Sequence, residues 1–489
     1  MGARTCASLA LAICVAAMVL ASVAVSGEAE GWVAPQAPPA PGFPVKVALV
    51  LPLSGGDPVQ SYGERTRNGA LLAINEARAA GWDIQTVVAD SACDAAAAAD
   101  AANQVILTDT VKYIVGAVCS SASIPISEIA EANHVLQISP TSTSPQVTKY
   151  ADGTNKEYVF RALYLDPFQG QAMAVVARGL GATTAAAMYD EGNPYVRDLA
   201  VYFKIYFERM GGTVPVFESY TQDTYDFSGV LGEVRTANPD VLFMPDYFGK
   251  VNEIAEQAEA AGVEATFLGA DGWDSPDLRR DLLEGAYFSN HFWPGDPRQV
   301  VVDFVETYST TYGTQPDALA ALGYDATGVL LQAIAEAGVD DPSVVKDEMA
   351  GIAYEGVTDK ITFDQFGDPI KGAAVMRIEG GQAALFKWVA PISQLSVVND
   401  GPTDWPQTTT LTATVVTGSD VTYAWALGDG STASGQVVTH TYPTPGDFTA
   451  VVTASNWFNS ATVTSTVQVV GYRVFLPLVT REVASWRFR

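Results

Sequence analysis

From Val45 onward the chain alternates short β-branched runs with longer stretches whose apolar residues recur at helical spacing. VKVALVLPL, IQTVVAD, KYIVGAV and VLQIS have the length and residue types of strands. Between them GERTRNGALLAINEARAAG, DAAAAADAANQVILTD and SIPISEIAEANH read as helices with polar or glycine ends. Strand and helix in strict alternation predict βαβ units around a parallel, doubly wound sheet. The same rhythm restarts near Asp166, with strands TAAAMYD, TVPVFESY, DVLFMPD and ATFLGAD between helices such as VRDLAVYFKIYFERMGG and KVNEIAEQAEAAG. A second sheet of the same kind follows. Helical text at VVVDFVETYSTTYG and LAALGYDATGVLLQAIAEAG then lets the chain cross back to the first unit, so that two lobes frame a cleft.

Near Ile392 the period changes from helical to two, as in LTATVVTG, VTYAWALGDG and FTAVVTASN, which predicts a small all-β sandwich. The GDG at Gly428 to Gly430 is read as a tight turn, the conformation that Gly and Asp favour on backbone grounds alone. At the other end, Arg4 precedes the apolar run ASLALAICVAAMVLASVAV, with small residues at Ala24, Ser26 and Gly27, the pattern of a secretory signal peptide. An uncleaved membrane anchor is the competing reading, and no later segment looks long and apolar enough to cross a bilayer. VAPQAPPAPGFP, Val33 to Pro44, reads as an extended spacer. The expected organisation is thus a signal peptide (1–26), a Pro-rich linker (27–44), a two-lobe α/β domain (45–390), a sandwich (392–470) and a tail (471–489). Lobe 1 takes about 45–163 and 291–356, and lobe 2 about 164–290 and 357–390. The tail YRVFLPLVTREVASWRFR completes the sandwich or serves as a surface-sorting signal.

Composition narrows the partners. With 55 acidic against 27 basic residues, the net charge of −28 repels phosphate backbones and anionic lipid, which argues against nucleic acid. Removal of the signal peptide would leave Cys93 and Cys119, an even pair that in an exported chain reads as a disulfide.

Cys119 stands in GAVCSSAS, where a predicted strand gives way to a helix beginning at Ser120. Hydroxyls and unpaired N–H groups at such a junction favour an anion, helped by the helix dipole. PTSTSP also follows a strand, so its hydroxyls can reach the same crevice at the carboxyl ends of the strands. Either cluster alone would serve equally well as caps and turns.

Several spaced motifs give residues 45 to 390 a specific resemblance: LPLSGGDPVQSYGERTRNGALLAINE, DSACD before VGAVCSSAS, ISPTSTSP, YDEGNPY, GADGW, GYDA and ITFDQFGDPIKG. Together they resemble the type I periplasmic solute-binding proteins of ABC importers, in the leucine/isoleucine/valine-binding group. YAWALGDG and HTYPTPGDFTAVVTASN give the following segment a resemblance to a polycystic-kidney-disease (PKD) type sandwich. The first resemblance implies hinge-linked doubly wound sheets that close on an amino acid and pass it to a permease. It assigns Ser120, Thr141 (mainly through its backbone) and Thr143 to the ligand carboxylate, and Asp271 to its ammonium. Tyr62, Tyr195 and Tyr247 match aromatic residues that cover the ligand, whereas Tyr324 packs or hydrogen-bonds within the first lobe. Two departures bear on the side chain preferred: Asp271 stands where branched-chain binders can use a longer carboxylate, and YDEGNPY is one residue longer than the usual spacing.

Catalysis finds no support. The three histidines, His134, His291 and His440, are scattered, and there is no HExxH, GxSxG or GxxxxGK. His134 is expected at a helix end. No metal and no cofactor are expected. A ligand-sensing receptor module and a cell-surface adhesive protein, holding a surface polymer or another protein through the sandwich, are the rival functions. No transmembrane helix leading to a signalling domain follows residue 390. Within transport, amides and short-chain acids compete with branched-chain amino acids.

Overall fold

A computed structural model describes residues 37–56 and 59–471; the signal-peptide and tail expectations lie outside them. The first sheet holds five parallel strands in the order β2-β1-β3-β4-β5. They are β1 (Val45–Leu51), β2 (Ile84–Asp90), β3 (Tyr113–Gly116), β4 (Leu136–Ser139) and β5 (Val159–Arg161), linked by α1 (Val59–Ala79), α2 (Ala95–Asn103) and α3 (Ser120–Ala132). VKVALVL of β1 is buried along almost its whole length, as expected of a parallel strand covered by helices on both faces.

The chain then crosses to α4 (Asp166–Gly179), β6 (Thr184–Asp190), α5 (Pro194–Arg209), β7 (Thr213–Tyr220) and α6 (Ser228–Ala237). It continues through β8 (Val241–Phe243), α7 (Phe248–Ala261), β9 (Thr266–Gly269) and β10 (Tyr287–Asn290). It returns to the first lobe for α8 (Gln299–Tyr312), α9 (Ala318–Ala337) and α10 (Pro342–Gly351). A short hairpin, β11 (Tyr354–Gly356) and β12 (Asp359–Ile361), leads back to β13 (Ala373–Glu379) and β14 (Gln382–Val389). The second sheet runs β14-β13-β10-β9-β8-β6-β7, with β13 alone antiparallel to the rest and β14, antiparallel to β13, running the common way again.

The crossings are knotted together by one buried lysine. Lys371 donates to Ala162 O at 3.1 Å and to Thr358 Oγ1 at 2.6 Å, while Asp325 accepts from the backbone of Val357 and Thr358. Helix α9 is by length and composition apolar enough to cross a bilayer, which corrects the reading that nothing beyond the signal segment is. Its apolar surface is instead spent on protein: α1 packs so closely that a Cβ on Gly69 would lie 1.8 Å from Ala320 O.

The Pro-rich stretch also departs from expectation where it is described. Instead of standing free as a spacer, it lies against the first lobe, because the Trp82 indole donates to Pro38 O at 2.7 Å and Phe43 packs on the core.

Residues beyond 392 form two facing sheets. One is β15 (Ser396–Asn399), β17 (Thr409–Thr414) and β20 (Val437–His440); the other joins β16 (Thr403–Asp404), β22 (Ser460–Val470), β21 (Gly446–Ser455), β18 (Thr422–Ala426) and β19 (Thr432–Ser434). Leu411, Trp425, Tyr442, Val452 and Val467 fill the space between them. The GDG is a turn: Gly428 and Gly430 take φ of 88° and 94°, and Asp429 accepts from Ser431 N and pairs with His440.

Candidate functional site

All seven residues singled out for ligand contact line one cavity of about 40 Å³ between the two lobes. Sequence position alone did not point to four others in its wall, Val118, Gly272, Asp274 and Leu319. A larger cavity of about 340 Å³ lies behind α1 and α9, against Pro38 and Pro39. Its two carboxylates already accept hydrogen bonds, Glu76 from Tyr324 at 2.6 Å and Glu336 from Gln332 at 2.8 Å, so it offers less unspent polar chemistry. Tyr324 thus hydrogen-bonds within the first lobe and packs on Phe304.

The first-lobe wall is built by two strand-to-helix junctions. Cys119 takes the cap position before α3, and its disulfide to Cys93, with Cα atoms 5.4 Å apart, ties that junction to the loop after β2. Ser120 opens the helix, where free N–H groups and the dipole favour negative charge. The loop 140–145 sits beside it: Thr141 Oγ1 donates to Val118 O at 2.8 Å, and Ser144 N donates to Ser120 Oγ at 3.3 Å. With its hydroxyl engaged, Thr141 has its backbone left to offer. Arg161, wholly buried and 2.7 Å from Asp368, holds this loop by donating to Ser142 O and Ser144 O. The hydroxyls of Thr143 and Tyr62 are buried with no hydrogen-bond partner among the described residues.

The second-lobe wall centres on Asp271, in a short turn after β9. Its Oδ1 accepts from Tyr195 OH at 2.8 Å and from Gln169 Nε2 at 2.6 Å. His291 Nε2 lies 3.1 Å from Oδ2, and since a carboxylate only accepts, Nε2 carries the proton. Burial pushes the Asp271 carboxyl up, but His291, Gln169 and Tyr195 together hold it below its ordinary value. Burial in turn lowers the imidazole of His291 despite the nearby carboxylate. The site therefore presents an anionic Asp271 in the neutral pH range.

Among the three histidines that looked scattered, His291 thus stands next to the predicted anchor, and Tyr164 stacks on its ring at 3.9 Å. The sequence signal was slight: strand YFSN ends immediately before it, and β10 pairs with β9, which leads into Asp271. His134 lies two residues past α3 with φ 54°, stacked on Tyr158.

Aromatic rings close the mouth. Tyr247 precedes α7, stacks on Tyr195 with centroids 5.2 Å apart, and meets Tyr62 of α1 at 5.5 Å across the cleft. Tyr195 uses its hydroxyl to orient Asp271 as well as its ring to wall the cavity.

Against known proteins, residues 44–383 match the periplasmic binding protein family and residues 394–469 match the PKD domain. A leucine-, isoleucine-, valine-, threonine- and alanine-binding protein of Pseudomonas aeruginosa is 30% identical over 335 residues, 66% of this chain and 87% of that protein. A crystal structure of a leucine binding protein from Thermotoga maritima gives a TM-score of 0.67 at 33% identity, covering 71% of this chain and 99% of that one. A solute binding protein of an ABC transporter from R. palustris, solved with benzoate, gives 0.65 at 19% identity, covering 71% and 97%, a likeness of fold. A family match over most of the chain, on two α/β lobes whose residues line one shared cavity, establishes that this chain belongs to the periplasmic binding proteins, with a PKD domain at its C-terminal side.

Proposed function

We propose that this protein captures a branched-chain or similar amino acid by lobe closure, outside the cytoplasm, and presents it to the permease of an ABC importer. The observation that carries this reading is the polarity of one cavity. Hydroxyls and a helix N-terminus stand on one lobe, and a carboxylate held in its charged form stands on the other. A zwitterion satisfies both poles only when the lobes meet, so ligand binding and closure are one equilibrium. Ser120, Thr141 and Thr143 take the carboxylate, Asp271 takes the ammonium, and Tyr62, Tyr195 and Tyr247 bury the side chain. Lobe 1 comprises about 45–163 and 291–356, and lobe 2 about 164–290 and 357–390. The PKD domain holds a cell-surface polymer or protein.

Charge-assisted hydrogen bonds contribute roughly 1.5–3 kcal/mol each, and micromolar affinity needs only about 8 kcal/mol in total. A few such bonds and one buried aliphatic side chain therefore suffice. A thermal-shift screen across amino acids, their amides and short-chain acids tests the reading, because a ligand selective for the folded state raises the unfolding midpoint. Aliphatic amino acids should give the largest shift. A screen in which acids lacking an amino group stabilise as strongly as amino acids would remove Asp271 from the role given to it.

A further inference from the structure

The first turn of α4 is held from both sides. Inward, Gln169 Nε2 donates to Asp271 Oδ1 at 2.6 Å and to Ser289 Oγ at 2.9 Å. Outward, the Phe168 ring meets Phe458 of the C-terminal sandwich with centroids 5.1 Å apart, and Gln171 Nε2 donates to Trp457 O at 2.8 Å.

Phe458 sits in the turn between β21 and β22, and that turn is itself tied down. Asn456 accepts from Phe458 N and Asn459 N, and donates to Ala390 O and Ser419 O. Asn459 exchanges two hydrogen bonds with the backbone of Ile392. The sandwich is therefore a fixed body where it meets α4.

A second line of contacts reaches the other oxygen of the same carboxylate. Phe168 packs on Tyr164 at 5.2 Å, Tyr164 stacks on His291 at 3.9 Å, and His291 Nε2 meets Asp271 Oδ2 at 3.1 Å. Tyr164 and His291 are almost wholly buried, so neither ring can shift without displacing its neighbours.

We infer that the turn between β21 and β22 of the PKD domain is a positioning element of the solute site: Phe458 fixes Phe168, and through Gln169, Tyr164 and His291 sets the orientation of Asp271. The turn stays outside the cavity and touches no ligand. The consequence for affinity rests on the amino-acid reading given above; the packing itself does not.

The His291 ring reports the packing directly. The chain has three histidines, so the His291 signal is assigned by its loss in His291→Gln. In Phe458→Ala the His291 ring resonances should move, and its pKa, which burial lowers, should rise toward the ordinary value as the Tyr164 stack loosens. Affinity for L-leucine should fall several-fold. Gln171→Leu, which removes the hydrogen bond to Trp457 from a half-buried position outside the core clusters, should move the same resonances in a chain whose core is untouched. Lys387→Ala, at the exposed Lys387–Asp420 contact between β14 and the sandwich, should leave them in place. Identical His291 shifts and pKa in the full-length chain and in Phe458→Ala would overturn the inference. Displaced His291 resonances in a protein that binds no leucine would uphold it and count against the amino-acid reading instead.

Discussion

Asp274 of the second lobe accepts a hydrogen bond at 2.8 Å from the backbone N–H of Ala318, the first residue of α9 in the first lobe. The bond bridges the cleft at its rim, beside Asp317, which caps α9 and pairs with Arg65. Burial, then the charge of Asp317, raises the Asp274 carboxyl to about 6. In an opened cleft the carboxyl faces water and returns toward its ordinary value of about 3.9. A group whose pKa is higher in the closed form favours closure when protonated, so this contribution grows as pH falls through 6 toward 4. Asp271, held low, keeps its charge over the upper part of that window. Calorimetry with leucine should therefore find tighter binding at pH 5 than at pH 7, and Asp274→Asn should flatten the difference. Equal pH dependence in both proteins would show that this bond does not follow closure.

The carboxylate at the other pole predicts selectivity. Asp271→Asn removes the charge while preserving size, and should weaken leucine binding by about ten- to 150-fold, the equivalent of roughly 1.5–3 kcal/mol. Binding of the same compound without its amino group should change little. Titrations of both compounds against both proteins check this; parallel losses would mean that Asp271 shapes the cavity without meeting the ammonium.

Loss of the Cys93–Cys119 bond has two expected effects. Closing a separation of 26 residues stabilises the fold by about 3.5 kcal/mol in the chain-entropy model. Because Cys119 immediately precedes Ser120, the Cys93→Ser, Cys119→Ser protein should also bind leucine more weakly below its lowered melting point. A melting point unchanged by reduction would contradict the first effect.

Close approach of α1 and α9 leaves no room at Gly69. Gly69→Ala should destabilise the protein by at least about 1–3 kcal/mol, since the new methyl would meet backbone rather than a movable side chain. Gly179→Ala, at the end of α4 with open space around it, should be near neutral or slightly stabilising. Urea unfolding of the pair separates packing from propensity.

Asp246 predicts an acid-side signature of stability. Burial, opposed by hydrogen bonds from Tyr220 and Tyr247 N, raises its carboxyl to about 6. Stability from such a group is fully present below the unfolded pKa and lost as pH rises from about 4 through 6. Over that window Asp246→Asn should differ from the parent by about 2–3 kcal/mol in its pH dependence, becoming relatively more stable at pH 7. Thermal melts at pH 4.5 and 7 measure the difference.

Much of this was legible in the chain itself. Strand runs such as VKVALVL announced the parallel sheets, and the hydroxyl clusters fell after strands, where the geometry of open α/β sheets directs ligands. What failed to show was whatever depended on strand order. Gln169 and His291 lie 102 and 20 residues from Asp271 in sequence, and meet it because β10 lies beside β9 with α4 against both. No local period encodes that adjacency. The packing of the Pro-rich stretch was hidden for a similar reason, since it depends on one indole at Trp82.

The sandwich contacts described above fall on α4, β14 and the segment that follows β14, all belonging to the second sheet's half. If the lobes close on a ligand as proposed, those contacts would carry the PKD domain with that half as ballast. A fluorophore pair spanning the sandwich and α2 would register each opening stroke as a change in energy transfer, whereas a pair spanning the sandwich and α7 would stay silent.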